Sequence, residues 1–213
     1  MIIVNFKIYP ESFADGAIKL AKICQSVSQK TGIKIIPSVS PLDCYRLGLP
    51  SLLQHVDNVT SGPFSGYISA QQSIGVGAIG TLLNHSEHQL KPGTISQTLK
   101  NLPSDFISVL CIQSLGQALT WAKKLKPTYF AYEPKELIGN KHQSVATVHP
   151  EAITNIAQAL GKIPLLVGAG IHSKSDVVAS LKLGAVGILV ASDVVTSDDP
   201  ESHLLELAQG FKV

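Results

Sequence analysis

Polar residues interrupt short apolar runs at several points along this 213-residue chain, and together they form a set able to move a proton beside a carbonyl. Asn5 and Lys7 close the first apolar run. His85 follows a run at 78–83 and Glu133 one at 128–132. Gly168-Ala169-Gly170 ends a run at 164–167, and Ala191-Ser192 ends the last, at 186–190. A carboxylate supplies a base, an imidazole an electrophile and an ammonium a counter-charge for an oxyanion. Gly-rich turns add backbone N–H groups for an anion. Spaced two apart, Asn5 and Lys7 are expected on one face of a strand. Ser86 and Gln89 make an S-x-x-Q capping pattern directly after His85. That places the imidazole at the positive end of a helix, where its protonation is disfavoured.

The elements that must carry these groups read as alternating strands and helices. Candidate strands are 2–6, 33–39, 52–56, 78–83, 106–111, 128–132, 164–167 and 186–190, at a spacing of about 27 residues. Several are apolar on both faces, as parallel strands covered on both sides must be. Between them, 15–30 puts Ala17, Leu20, Ala21, Cys24 and Val27 on one helical face. Pro150 opens a helix with the stripe Ile153, Ile156, Ala157 and Leu160, closed by Gly161. Ser173 and Asp176 form a capping box ahead of Val177, with Gly184 as the stop, and Asp199-Pro200 starts the last helix. No linker divides the chain. Eight βα units favour an α/β fold of the (β/α)₈ barrel type, one domain over 1–213, with its site at the C-terminal ends of the strands. The polar segment 58–66 and the longer segment 133–148 then lie on that same face.

Composition bounds the partners. Seventeen basic residues against fifteen acidic leave a formal charge of +2, which gives no basis for binding nucleic acid or an anionic membrane. Charged residues make up 15% of the chain, against about 25% in an ordinary domain, so a homo-oligomer is expected to cover apolar surface. Cys24, Cys44 and Cys111 fit neither a disulfide framework nor a zinc pattern and point to a reducing, cytoplasmic setting. The first ten residues do not read as a signal peptide, and no apolar run approaches a membrane span. His85-x-x-His88 lacks a third ligand at useful spacing, so no metal is expected. Gly168-x-Gly170 lacks the third glycine of a dinucleotide fingerprint. His142, His149, His172 and His203 read as loop and surface residues, and Cys111 as a packing residue at a strand end.

The motifs are more specific than their members. Val4-Asn5-Phe6-Lys7, then Gly80-Thr81-Leu82-Leu83-Asn84-His85-Ser86-Glu87, then Tyr132-Glu133-Pro134-Lys135-Glu136-Leu137-Ile138-Gly139 resemble the triosephosphate isomerase family in its short archaeal form. Gln54-His55, Phe64-Ser65-Gly66, Gly168-Ala169-Gly170-Ile171 and Leu189-Val190-Ala191-Ser192 continue the match along the whole chain. The resemblance implies a cofactor-free isomerase of a small phosphorylated triose. Glu133 would be the base, His85 the neutral electrophile, Lys7 the cation and Asn5 an orienting group. Glu87 would support Lys7. Ile138, Gly139, Gly170, Ala191 and Ser192 would offer N–H groups to phosphate, and 133–148 would be a lid. Ser65 would belong to a loop reaching a neighbouring subunit, in a tetramer rather than a dimer.

The chain also departs from that pattern. Ile138-Gly139-Asn140-Lys141 stands where the family has Ile-Gly-Thr-Gly, and one extra residue precedes Pro150. Lys141 would either add a charge near phosphate or be solvated. Asp193 replaces the usual Gly after Ala191-Ser192; its carboxylate would either oppose the phosphate or cap the following turn, and capping is the more ordinary use. These changes leave two alternatives: a related isomerase acting on another small hydroxycarbonyl, or a non-catalytic barrel used for binding or assembly.

Overall fold

The computed structural model describes residues 1–140 and 143–212. Its strands are β1 (Ile2–Asn5), β2 (Ile35–Val39), β3 (Ser51–Leu53), β4 (Ala78–Leu83), β5 (Ile107–Ile112), β6 (Tyr129–Tyr132), β7 (Leu165–Gly168) and β8 (Gly187–Val190). All pair in parallel and in sequence order, and β1 pairs with both β2 and β8, so the sheet closes into a barrel without an edge. Around it lie α1 (Asp15–Thr31), α2 (Pro41–Leu47), α3 (Ala70–Gly75), α4 (Pro92–Asn101), α5 (Leu115–Trp121), α6 (Val145–Val148), α7 (Pro150–Leu160), α8 (Lys174–Lys182), α9 (Ser192–Val195) and α10 (Pro200–Gln209). All eight expected strands and the barrel are present. Among the described residues no helix is long and apolar enough to cross a membrane.

The double-sided apolar pattern has a direct cause. Alternate strand residues point inward and outward, and both sides are buried. Ile3, Ile36, Leu52, Leu82, Val109, Cys111, Ala131, Leu166 and Leu189 fill the barrel interior. Their neighbours Ile2, Val4, Phe130, Leu165, Val167, Ile188 and Val190 pack outward against the helices. The α1 stripe buries Ala17, Leu20, Ala21, Cys24 and Val27. Ser173 and Asp176 cap α8 reciprocally, and Asp199 caps α10 by accepting from the Ser202 N–H.

This alternation also aims the site. Asn5, Glu133 and Gly168 each stand two residues beyond an inward core residue, namely Ile3, Ala131 and Leu166. They therefore continue the barrel lining upward into its mouth.

Two local expectations are corrected. β1 stops at Asn5, and Lys7 lies beyond it with φ of 51°, so strand alternation does not relate the two side chains. Ser86 caps no helix. Residues 86–88 form a turn, and α4 begins only at Pro92 after Lys91. The intervening chain is taken up by Asn84, at φ 58°, whose Oδ1 accepts from the Leu90 N–H.

Candidate active site

The mouth of the barrel gathers the polar strand ends. Asn5 is 4% exposed; its Oδ1 accepts from the Lys7 N–H at 3.1 Å and from Gln54 Nε2 at 3.3 Å. Gln54 Nε2 also reaches the Lys7 carbonyl at 3.0 Å. One amide thus holds both residues and stabilises the left-handed backbone at Lys7, a conformation that L-residues adopt only when their surroundings impose it. Lys7 Nζ lies 2.7 Å from Glu87 Oε1, with the lysine side chain largely shielded and Glu87 more open to solvent. The expected pairing of Lys7 with Glu87 is therefore present.

His85 is fixed by a turn rather than by a helix. Asn84 Nδ2 donates to the Cys111 carbonyl at 2.9 Å, and the His88 N–H donates to the His85 carbonyl at 2.8 Å. The Glu87 N–H donates to His85 Nδ1 at 3.3 Å. A nitrogen that accepts carries no proton, so the neutral ring holds its proton on Nε2. That nitrogen faces Glu133 Oε1 at 3.6 Å. Opposing influences act on the ring. Burial draws its pKa down, but Glu133 in front and Glu87 behind outweigh it, and the net shift is upward.

Glu133 is the least compensated group of the cluster. It is 6% exposed, its N–H bonds the Ile112 carbonyl, and Oε2 is buried with no hydrogen-bond partner among the described residues. Gly168 makes room for it: a Cβ there would sit 2.7 Å from Glu133 Cγ. Cys111 lies against the same carboxylate, and burial together with that charge pushes its thiol well above the ordinary range. It is an inert wall of the site, as its packing role required.

Further along the cleft, Ile138, Gly139, Gly170, Ala191 and Ser192 line the same space as Asn5, Lys7 and Glu133. His85 and Glu87 border the adjoining hollow with Asn5 and Lys7. Gly139 (φ 74°) follows a single 3-10 turn, Lys135–Leu137. Gly170 (φ 68°) lies so close to the Gln143 carbonyl that a Cβ would stand 2.0 Å from the oxygen. Gln143 in turn donates its N–H to Asn140 Oδ1 at 3.1 Å. Ser65 is apart from the cleft, on the exposed stretch 61–67.

Several minor expectations are revised. His172 is not a surface residue; it lines the cleft and bonds Asp193. Asp193 makes no capping bond to α9. Apart from these revisions, His88 stacks on His55, with ring centroids 4.2 Å apart. Lys141 and His142 lie outside the described residues. Reasoning from strand ends missed Gln54 and Asn84 as positioning groups. An Asn directly after a strand, able to adopt positive φ, was the available signal for the second.

Comparisons with known proteins agree along the chain. The family model described as triosephosphate isomerase matches residues 1–210. The triosephosphate isomerase of Saccharolobus solfataricus is 39% identical over 94% of this chain and 91% of its own length. That of Thermoplasma volcanium is 38% identical over 97% and 98%, and that of Methanothermus fervidus 36% over 97% and 96%. The crystal structure of the Bartonella henselae enzyme superposes with a TM-score of 0.71 at 16% identity, covering 100% of this chain and 98% of that one, which is a likeness of fold.

Proposed function

The chain belongs to the triosephosphate isomerase family and interconverts dihydroxyacetone phosphate and D-glyceraldehyde 3-phosphate, and we propose that Glu133, His85, Lys7 and Asn5 carry the reaction. Glu133 takes the proton from the carbon beside the carbonyl, leaving an enediolate. It then returns the proton to the neighbouring carbon, which was the carbonyl carbon. His85 donates from Nε2 to the carbonyl oxygen and accepts the hydroxyl proton from the adjacent oxygen, so that the oxygens exchange a proton as the carbons do. Lys7 offsets the negative charge that develops on oxygen, and Asn5 orients the substrate. Glu87 holds the ammonium of Lys7 in place. Backbone N–H groups of Ile138, Gly139, Gly170, Ala191 and Ser192 receive the phosphate.

The observation that carries this reading is the pairing of a buried carboxylate oxygen without a partner, Glu133 Oε2, with an imidazole whose Nε2 is 3.6 Å from the other oxygen. Such a carboxylate is costly to bury unless it has work to do. Assay of both directions in deuterated water tests it. Turnover accompanied by solvent deuterium at the carbon is expected, because the proton rests on a carboxyl that exchanges with water. Turnover and solvent labelling that both persist in a folded Glu133→Gln variant would rule out the base assignment.

We also infer a homotetrameric assembly in which the loop bearing Ser65 meets a neighbouring subunit, and a cytoplasmic location. Supporting the first are the low charge content of the chain and exposed apolar side chains such as Leu42, Tyr45 and Ile8. Supporting the second are three buried cysteines, all free.

A further inference from the structure

His172 and Asp193 are 21 residues apart in sequence and join the loop after β7 to the loop after β8. His172 Nδ1–H donates to Asp193 Oδ2, and both side chains line the cleft beside Gly170 and Ser192, 23% and 22% exposed. The other ring nitrogen, Nε2, is buried with no partner among the described residues. Asp193 is therefore the side-chain contact in which the polar capacity of His172 is used. The backbone of His172 is itself fixed, its N–H donating to Asp176 Oδ2 at 3.1 Å, from the residue that closes the capping box of α8.

A carboxylate in this place needs an explanation. The substrate's phosphate is a dianion, and a like charge in the same partly desolvated cleft opposes its binding. Asp193 is not turned outward to cap α9; it stays in the wall of the cleft, held by an imidazole. Resting on the isomerase reading above, we propose that His172 and Asp193 form a clasp at the phosphate end of the site. His172 engages the carboxylate and directs it away from bound phosphate, and the bond ties together the two loops whose N–H groups receive that phosphate. His172 is then a positioning residue that determines specificity for a phosphorylated substrate. It is needed because residue 193 is Asp.

The dependence of one residue on the other is testable by suppression. With His172→Ala, the KM for glyceraldehyde 3-phosphate and the Ki for inorganic phosphate should both rise by about tenfold or more, while kcat stays within about twofold. Turnover of unphosphorylated glyceraldehyde should be unaffected. Asp193→Gly in the same chain should restore KM and Ki to near the wild-type values, because the group needing restraint is gone. A purely structural role for His172 gives the opposite result, with the double variant no better than the single one. His172→Gln, which keeps a donor for Asp193, should fall between wild type and His172→Ala and serves if the alanine variant does not fold. Unchanged KM and Ki in both His172 variants, or failure of Asp193→Gly to suppress, overturns the clasp. Lack of triosephosphate turnover by the wild type would instead count against the isomerase reading. The clasp is then decided by calorimetric binding of inorganic phosphate to the same variants.

Discussion

At the barrel mouth, Asn5, Glu133 and Gly168 stand two residues beyond inward core side chains of β1, β6 and β7, whereas at the other end of the cleft Ile138, Gly139 and Gly170 stand on loops and Ser192 opens the short helix α9. The first group inherits its geometry from a closed sheet with fixed register. The second depends on contacts such as Gly170 against the Gln143 carbonyl and His172 against Asp193. On the proposed reading, the base and the orienting amide are placed by the closed sheet, and the phosphate is received by loops, the part of a fold that tolerates sequence change. Of the departures from the family pattern, Asn140 and Asp193 line the cleft beside Gly139 and Ser192, and Lys141 lies outside the described residues. The carbon-facing end retains Asn5, Lys7, His85 and Glu133.

If that division is real, substitutions should sort cleanly between kcat and KM. The largest effect is expected from Glu133→Gln, which preserves shape and removes the proton acceptor. Steady-state assays should show kcat lower by roughly 10²–10⁴ or more, with KM little changed. An unaltered kcat in the folded variant would remove Glu133 from the mechanism.

Two glycines two residues apart give a finer comparison. In Gly168→Ala the new methyl meets Glu133 Cγ at 2.7 Å and Oε1 at 3.0 Å. It displaces the base without changing its chemistry, and a misplacement of this size is expected to lower kcat by about 10². In Gly170→Ala the methyl meets the Gln143 backbone at φ 68°. Strain of about 1–3 kcal/mol then falls on the loop contact at the phosphate end. KM should rise by about tenfold, with a smaller change in kcat. If each variant altered kcat and KM equally, the two ends of the cleft would have to be one mechanical unit.

The carbon-facing end was also the legible end. A carboxylate and an amide following apolar runs can be read from sequence because strand alternation carries them into the mouth; His85 follows such a run too, but the turn at Asn84 aims it. The same holds for the α1 stripe and for the capping box Ser173–Asp176, where a local rule decides. Three features escaped because their causes are not local. Lys7 takes φ 51° because Gln54, brought from β3's end, bonds both its carbonyl and Asn5. The capping pattern at Ser86 is overridden because Asn84 turns the chain and occupies the Leu90 N–H, so that α4 waits for Pro92. His172 and Asp193 meet only because β7 and β8 are neighbours, and no periodicity relates loop residues on successive strands.

The smallest effect concerns the proton on His85. Burial lowers its pKa, but Glu133 and then Glu87 raise it, and the net shift is upward from an ordinary value of 6.5. In the folded protein the ring therefore keeps its proton to higher pH than in the unfolded chain. By linkage, this contributes stability that is fully present below pH 6.5 and is lost as pH rises through the folded-state pKa. Glu133→Gln removes the principal upward influence and leaves burial and Lys7 opposing it. The His85 ring resonances in a proton NMR titration should then shift their midpoint downward. The gain in denaturation midpoint on going from pH 8 to pH 6 should shrink relative to the wild type, if only slightly. A midpoint that does not move would mean that Glu87 sets the titration, and the charge governing His85 would then come from the Lys7–Glu87 pair behind the ring and not from the base in front of it.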